Sequence, residues 1–541
     1  MATKWWGWGE EHRTFVLPDA QQFWAFVRSR LGEPGVSQRI GSLAEVSVPP
    51  SHLESKALDA LRRVTGTSSL TTDSADRAVH SLGKSYCDLV RIRRGEIPHA
   101  TDAVVYPETE EEVAALLDAA AEQEIAVIPF GGGTSVLGGI EPTGAKPTVT
   151  LDLRRMNRML RLDPLAATAT LEAGVLGPSL EEQLNAQGFT LGHFPQSFEC
   201  SSLGGWIATR SAGQNSTLYG KIEDMVESLR MAFPGDTIAT PAVPAAAAGP
   251  DLNQIIAGSE GILGVITQAT VRLAPMPRRS DYRGYLFPAF QAGVETAREL
   301  MQAGLKPAVL RLSDEAETGI SLAMRAPPRG LRAVAEGLYL AARRISLEGS
   351  TLMIVGFDGE EEQVRSDWRR AQGILRRQQG VPLGHGPAQV WNRSRFDHPY
   401  LRDLLLDHAI MVDTLETATT WDRYLALHSS VRDAIARAMD GRGLVMAHLS
   451  HAYTDGASVY YTFLARQREG QQLEQWQEVK IAATEAILAA GGALSHHHGI
   501  GSDHRPWMPQ YLGAAGIRAL AALKQTFDPR GIMNPGKLMA D

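Results

Sequence analysis

Ile125-Ala-Val-Ile-Pro-Phe-Gly-Gly-Gly-Thr-Ser-Val136 is the stretch whose reading decides the fold. An apolar run from Ile125 to Phe130 enters three consecutive glycines, Gly131, Gly132 and Gly133, and two hydroxyl residues follow, Thr134 and Ser135. An apolar run ending in glycine reads as a buried strand feeding a tight loop. Glycine admits positive φ and lets a ligand approach the main chain, and successive free N–H groups form a cradle for an anion. The matching cargo is a phosphate or pyrophosphate. The loop lacks the Gly-Lys-Ser/Thr ending of a P-loop and the G-x-G-x-x-G spacing of a dinucleotide fingerprint. On its own it fits an ordinary glycine-rich turn equally well.

The surroundings tip that balance. Upstream, Ala103-Val-Val-Tyr106 reads as a short strand closed by Pro107. Thr109 and Glu112 form a capping box, and Val113, Leu116, Leu117 and Ala120 give the helix an apolar face. The unit is strand, helix, strand, glycine loop. Downstream, Thr148 to Leu153 and Ala167 to Ala173 read as strands, and a helix runs from Gly177-Pro178 to a stop at Gly188. A second glycine-dense segment, 192–213, has little hydrophobic periodicity and reads as an irregular functional stretch. A third, Gly258-Ser-Glu-Gly-Ile-Leu-Gly-Val-Ile-Thr267, leads into a strand from Ala269 to Leu273. Three such loops, each joined to a strand, suit an extended phosphate-bearing cofactor held by backbone.

Bulk properties narrow the partners. A chain of 541 residues allows two or more domains and a large core. A net charge of −8 provides no basic footprint, so no nucleic-acid partner is expected. No run of about 18 apolar residues suggests a membrane span. The opening Met-Ala-Thr-Lys-Trp-Trp lacks an apolar leader, and the last residues are not a peroxisomal tripeptide. Cys87 and Cys200 fit free thiols in a reducing cytosol, so a cytoplasmic protein is expected. Trp5, Trp6 and Trp8 read as an N-terminal arm packed on the body, with an aromatic membrane anchor as the other possibility. Arg91, Arg93 and Arg94 read as a solvated basic face.

The three glycine segments resemble the flavin domain of the vanillyl-alcohol oxidase superfamily, whose cofactor is FAD. The resemblance implies an α+β fold: a two-subdomain FAD-binding domain, an α/β substrate cap and a helical N-terminal extension. The corresponding divisions are 1–98 for the extension, 99–280 for the FAD domain, 281–500 for the cap and 501–541 for a segment packing back on the FAD domain. It implies FAD contacts from Pro129, Gly131, Gly132, Gly133, Thr134 and Ser135 in the first segment. The second would supply Pro195, Ser197, Ser201, Gly204, Gly205, Thr209, Arg210 and Ser211. The third would supply Gly258, Glu260, Gly261, Gly264, Val265 and Ile266. Some members attach FAD through a His near Thr134, so FAD is expected to be non-covalent here.

Within that superfamily the chain is similar to the alkyldihydroxyacetonephosphate synthase family over most of its length. The likeness rests on Lys4-Trp-x-Gly-Trp-Gly9, Gly192-His-x-Pro-x-Ser197, Tyr219-Gly-x-Ile-Glu-Asp224, Tyr400-Leu-Arg-Asp403, Asp455-Gly-Ala-x-Val-Tyr460 and, most specifically, Ser495-His-His-His-Gly-Ile-Gly501. It implies exchange of the acyl group of acyl-dihydroxyacetone phosphate for a long-chain alcohol, with flavin N5 as covalent partner of the substrate carbon. The product belongs to ether-lipid synthesis. It assigns Tyr460, His496, His497, His498, Arg402 and Arg311 to the active site. Tyr460, His497 or His498 would be the acid/base group, and Arg402 and Arg311 the cations for phosphate. A homodimer and peripheral contact with a membrane are further expectations. His suits proton transfer near neutral pH, and an Arg fork suits a phosphate. A metal is not expected, because no Cys or spaced second His pair accompanies the triplet. Two departures, Gln196 and Ser502, and the tail Phe527 to Lys537, which resembles 2-hydroxy-acid dehydrogenases, keep an FAD-dependent oxidation of a hydroxy acid or other alcohol as the alternative.

Overall fold

The computed structural model describes residues 4–37, 39–324, 330–343 and 346–540, with the side chains of 331–336 left aside. Four sheets organise them. In the first, Ala103–Val105, Thr148–Asp152 and Ala126–Phe130 lie parallel, in that order, and Leu70–Thr71 adds an antiparallel edge. The N-terminal region is therefore not wholly helical: alongside helices such as Ala20–Leu31 and Ser55–Thr65 it lends this sheet one short strand. The helix Glu110–Glu122 starts where the sequence places it. Thr109 accepts from Glu112 N, but Glu112 reaches back to the Glu108 N–H, one residue beyond a strict capping box.

The second sheet is five-stranded and antiparallel, with Thr168–Glu172, Val265–Arg272 and Val226–Phe233 at its centre. Between its strands the segment 192–213 carries a helix, Leu203–Thr209, that the lack of periodicity hid. Small residues cause both facts: Gly204 and Gly205 blur the pattern, yet Gly204 is what lets the helix close on Ala173. A two-stranded pair joins Phe189–Thr190 to Ala274–Pro275.

The largest sheet has seven antiparallel strands in the order Val381–Gly384, Arg279–Phe287, Thr351–Gly359, Val309–Ser313, Gly443–Ala452, Gly456–Arg466, Ile410–Thr420. The helices Phe290–Gln302, Glu361–Arg377, Trp421–Ala438 and Gln472–Ala489 bury apolar faces in one core with it. The mixed α+β architecture read from the resemblance stands. At the chain's end, Ile532 O accepts from Val127 N and Asn534 N donates to Val127 O, so the tail returns to the strand that feeds the first glycine loop.

The N-terminal arm packs inward. Lys4 Nζ lies 3.4 Å from Asp403 Oδ2, and Trp8 N donates to the same oxygen at 3.0 Å. Trp8 is buried and Trp5 and Trp6 are half-buried, as an arm packed on the body requires. A Cβ at Gly7 or Gly9 would collide with Asp403 or Tyr400, which explains why both positions are glycine. Arg93 also departs from its reading as a solvated residue: it is buried, with Nη1 on Asp407 and Nη2 on the Asp403 carbonyl. No helix among the described residues is long and apolar enough to cross a membrane.

Candidate active site

The three glycine segments are one network. A Cβ on Gly132 would fall on the Cys200 carbonyl oxygen and one on Gly131 on Ser202 Oγ, so the first loop is pressed against the second. Gly133 takes φ +65°, which needs glycine. The third segment hangs on the second: Gly258 N donates to Ile207 O at 2.9 Å and Glu260 N to Ala208 O at 2.9 Å. Glu260 carboxylate oxygens accept from Ile500 N (2.5 Å) and Gly501 N (2.7 Å), which ties the cradle to the His-His-His-Gly-Ile-Gly segment. Burial lifts the Glu260 carboxyl to about 7 despite those donors. Asn534 Nδ2 reaches Gly139 O (3.0 Å) and Glu260 O (2.6 Å), closing the ring from the tail.

This cradle lines one cavity of about 1920 Å³. Of the cofactor residues expected from the sequence, Pro129, Gly131, Gly132, Gly133, Thr134, Ser135, Pro195, Ser197, Ser201, Gly204, Gly205, Thr209, Ser211, Glu260, Gly261, Gly264, Val265 and Ile266 face it. Arg210 and Gly258 do not. Arg210 instead caps a helix end at φ +52° and donates to Ala257 O and Gln254 O, and Gly258 lies against its side chain.

The opposite wall is the large sheet. Cross-strand register aligns Ser313 with His448, His448 with Tyr460, and Tyr460 with Glu416. Four strands, two of them consecutive (Gly443–Ala452 and Gly456–Arg466) and one as distant as Val309–Ser313, thus place a polar row side by side. The His448 and Tyr460 rings stack at 4.9 Å between centroids, 18° apart. Tyr460 meets His498 edge-on at 5.4 Å and stacks on His497 at 6.1 Å. Burial pushes the Tyr460 hydroxyl up to about 12, so it carries its proton at neutral pH.

The histidine triplet wraps a carboxylate. Glu416 accepts from Ser495 Oγ (2.6 Å) and from the backbone N–H groups of His496 (2.6 Å), His497 (3.1 Å) and His498 (2.8 Å). Its burial opposes ionisation, but His497, His498 and His496, when they carry charge, and the Ser495 hydroxyl outweigh that and draw it well below the usual carboxylate range. His497 and His498 face the cavity; His496 does not. Its Nε2 meets Tyr453 Oη at 2.5 Å and its Nδ1 meets His497 Nδ1 at 2.9 Å. Burial lowers all three imidazoles, His496 to about 4, so they stand neutral at pH 7. His451 joins this cluster, bonded to Ser216 Oγ at 2.6 Å, and its ligand atoms lie within 4.8 Å of those of His496 and His497.

Both arginines reach the cavity already paired. Arg402 Nη2 lies 3.0 Å from Asp413 Oδ1 and Nη1 donates to Lys84 O, while its Nε has no partner among the described residues. Arg311 Nη2 lies 2.9 Å from Glu317 Oε1. Each charge is balanced inside the protein, so neither is a bare cation waiting for phosphate. The cap side of the cavity is apolar, with Leu286, Ile320, Leu340, Leu352, Ile354 and Leu383 among its lining.

The family described as "FAD binding domain" matches residues 101–240, and "FAD linked oxidases, C-terminal domain" matches 276–538. An alkyldihydroxyacetonephosphate synthase of Dictyostelium discoideum is 37% identical over 479 residues, covering 87% of this chain and 78% of that one. One of Trypanosoma brucei brucei is 35% identical over 503 residues, 91% and 82% of the two chains. A solved structure of an alkyldihydroxyacetonephosphate synthase superposes at TM-score 0.85 with 32% identity over 98% of both chains. The chain belongs to the alkyldihydroxyacetonephosphate synthase family.

As a member of that synthase family it is an FAD-dependent enzyme. The cradle fits the cofactor: glycine backbone lines it where a Cβ at Gly131 or Gly132 would meet the facing loop, and a buried Ser259 hydroxyl has no partner among the described residues. The cavity is also larger than the ~300–1,000 Å³ of a typical small-molecule site, leaving room for substrate beside a dinucleotide. Sequence reasoning missed His448, Glu317 and His398, all of which line this synthase-family cavity. One signal was present: His448 and Ser450 are alternate positions of a strand whose only other polar side chain is His451.

Proposed function

We propose that this chain exchanges the acyl group of acyl-dihydroxyacetone phosphate for a long-chain alcohol, releasing a fatty acid, with FAD held non-covalently. One observation carries the reading: a single cavity joins the glycine cradle, the polar row at Tyr460 and an apolar cap wall. The substrate's three chemistries (a reacting carbon beside the flavin, a phosphate, a greasy chain) need those surfaces in contact. Bound FAD supplies a reactive ring nitrogen, N5. The protein supplies the rest. Neutral His498 and His497 are ready acceptors for the C1 proton at pH 7. Tyr460, protonated and fixed against both rings, is a donor. Arg311 and Arg402 keep donors beyond their carboxylate pairs, which suits orienting an anionic substrate more than drawing it in by net charge.

The apolar side chains Val16, Val390 and Leu347 line the cavity and are themselves 79%, 57% and 37% exposed. This supports a mouth that meets a lipid surface peripherally. A homodimer completes the reading; a monomer by sedimentation velocity would remove that part. The enzymatic test is mass spectrometry of the FAD-loaded protein incubated with acyl-dihydroxyacetone phosphate and hexadecanol. An ether product with equimolar fatty acid supports the proposal, and hydrolysis without ether contradicts it.

A further inference from the structure

The net exchange releases a proton from the alcohol, and the row offers a second base for it. We infer that His448 is the catalytic base for the incoming alcohol, with Glu317 as its positioning residue. His448 Nδ1 lies 2.8 Å from Glu317 Oε1. Arg311 Nη2 lies 2.9 Å from the same oxygen and 3.0 Å from Nδ1. Nδ1 cannot both accept from Arg311 and donate to Glu317. A lone pair there would face the carboxylate oxygen at 2.8 Å, whereas Arg311 Nη2 already has that oxygen as its acceptor. We therefore assign the hydrogen to Nδ1, given to Glu317, and read the Arg311–Nδ1 approach as a contact only. In that tautomer Nε2 keeps its lone pair, on a residue that lines the cavity. A nucleophile's base oriented by a buried carboxylate is the recurring arrangement for activating a hydroxyl.

The placement of the pair is built in. Asp314 caps the helix Glu315–Ala323, accepting from Glu317 N at 2.7 Å, and its other oxygen accepts from Ala447 N at 2.9 Å. One side chain thus pins the first turn of the helix to the residue beside His448. Ile320 lies one turn on from Glu317, on the same helix face, and lines the apolar wall. Ile354, also on that wall, pairs across strands with Arg311. An alkyl chain on this wall would bring its hydroxyl to His448, which stacks on Tyr460, whereas His498 meets that ring edge-on at 5.4 Å.

In the step, the alcohol oxygen bonds to C1 of the glycerone carbon as its O–H proton passes to His448 Nε2. The acyl group leaves first as carboxylate with the electron pair of its former C–O bond, C1 then being held where bound FAD would hold it. When the alcohol oxygen bonds, that holding bond would break with its electron pair, and the proton removed from C1 would be returned by its base. The alcohol's proton leaves His448 for solvent. This rests on the exchange reaction proposed above. The test compares wild type, His448→Gln and Glu317→Gln, each loaded with FAD and checked by flavin absorbance. Fatty acid released without alcohol and ether formed with hexadecanol are measured in single turnovers. The ratio of ether to acid should fall by about 10²-fold or more in His448→Gln, and by a smaller factor in Glu317→Gln. A ratio equal to wild type, or equal loss of both products with FAD retained, overturns the role of His448 alone. No ether from the wild type removes the exchange reaction and this role with it.

Discussion

The cradle and the polar row do different work with different parts of the chain. The cradle is backbone: its decisive residues are those with no side chain, and each of its three loops is contiguous in sequence. The row is side chains: Ser313, His448, Tyr460 and Glu416 come from four strands and meet only through register. A site made of backbone tolerates little change at glycine and is written locally. A site made across strands can lose one group and keep its frame. The contrast predicts all-or-none failure in the cradle and chemistry-specific failure in the row.

The largest effect should come from Gly132→Ala. With the Cys200 carbonyl where the new methyl must go, the first loop cannot close on the second. The variant should purify colourless or not at all, read from the ratio of flavin to protein absorbance; a fully yellow protein would break the comparison. Next are Tyr460→Phe and His498→Ala, each expected to lose at least about 10²-fold in kcat with FAD still bound. Full activity in either would remove that residue from the chemistry.

A smaller effect concerns Asp503, next to the Gly501 turn. Burial raises its carboxyl from 3.8 to about 7, and Oδ2 has no hydrogen-bond partner among the described residues. A raised acid binds more protons folded than unfolded between those values, so its stability contribution is full at low pH and is lost as pH rises through about 7. Asp503→Asn should therefore raise Tm at pH 8 by roughly 2–4 °C and do little at pH 4, measured by scanning calorimetry. A gain at pH 4 but none at pH 8 would reverse the sign and refute it. The smallest effect is Arg13→Ala. Arg13 Nη2 holds Glu199 Oε1 at 2.9 Å, but its side chain is 42% exposed, so the loss should stay under about 1 kcal/mol by urea unfolding.

How much of this was legible follows from the same contrast. Gly131 to Ser135 and Gly258 to Ile266 could be read because strand, turn and small residues are neighbours in sequence. Arg210 was read into the cofactor site by its place in a motif, yet its left-handed backbone makes it a helix cap. The helix Leu203–Thr209 was invisible because its glycines erase periodicity. His448 alternates with Ser450 in its strand, but its partnership with Glu317, 131 residues away, has no local pattern; only the pairing of strands brings the two together. The arm Lys4 to Gly9 and the segment Tyr400 to Asp403 were noted separately, and their contact through Asp403 is what the fold adds.

The central claim is that this cavity runs an exchange without net oxidation. The direct test is the flavin spectrum of the anaerobic FAD-loaded protein during turnover. With acyl-dihydroxyacetone phosphate and hexadecanol, the account predicts ether and fatty acid in equal amounts, with the flavin oxidised at the end. With a panel of 2-hydroxy acids it predicts no lasting bleaching. Stoichiometric bleaching by a hydroxy acid, with no ether from the lipid pair, would contradict it.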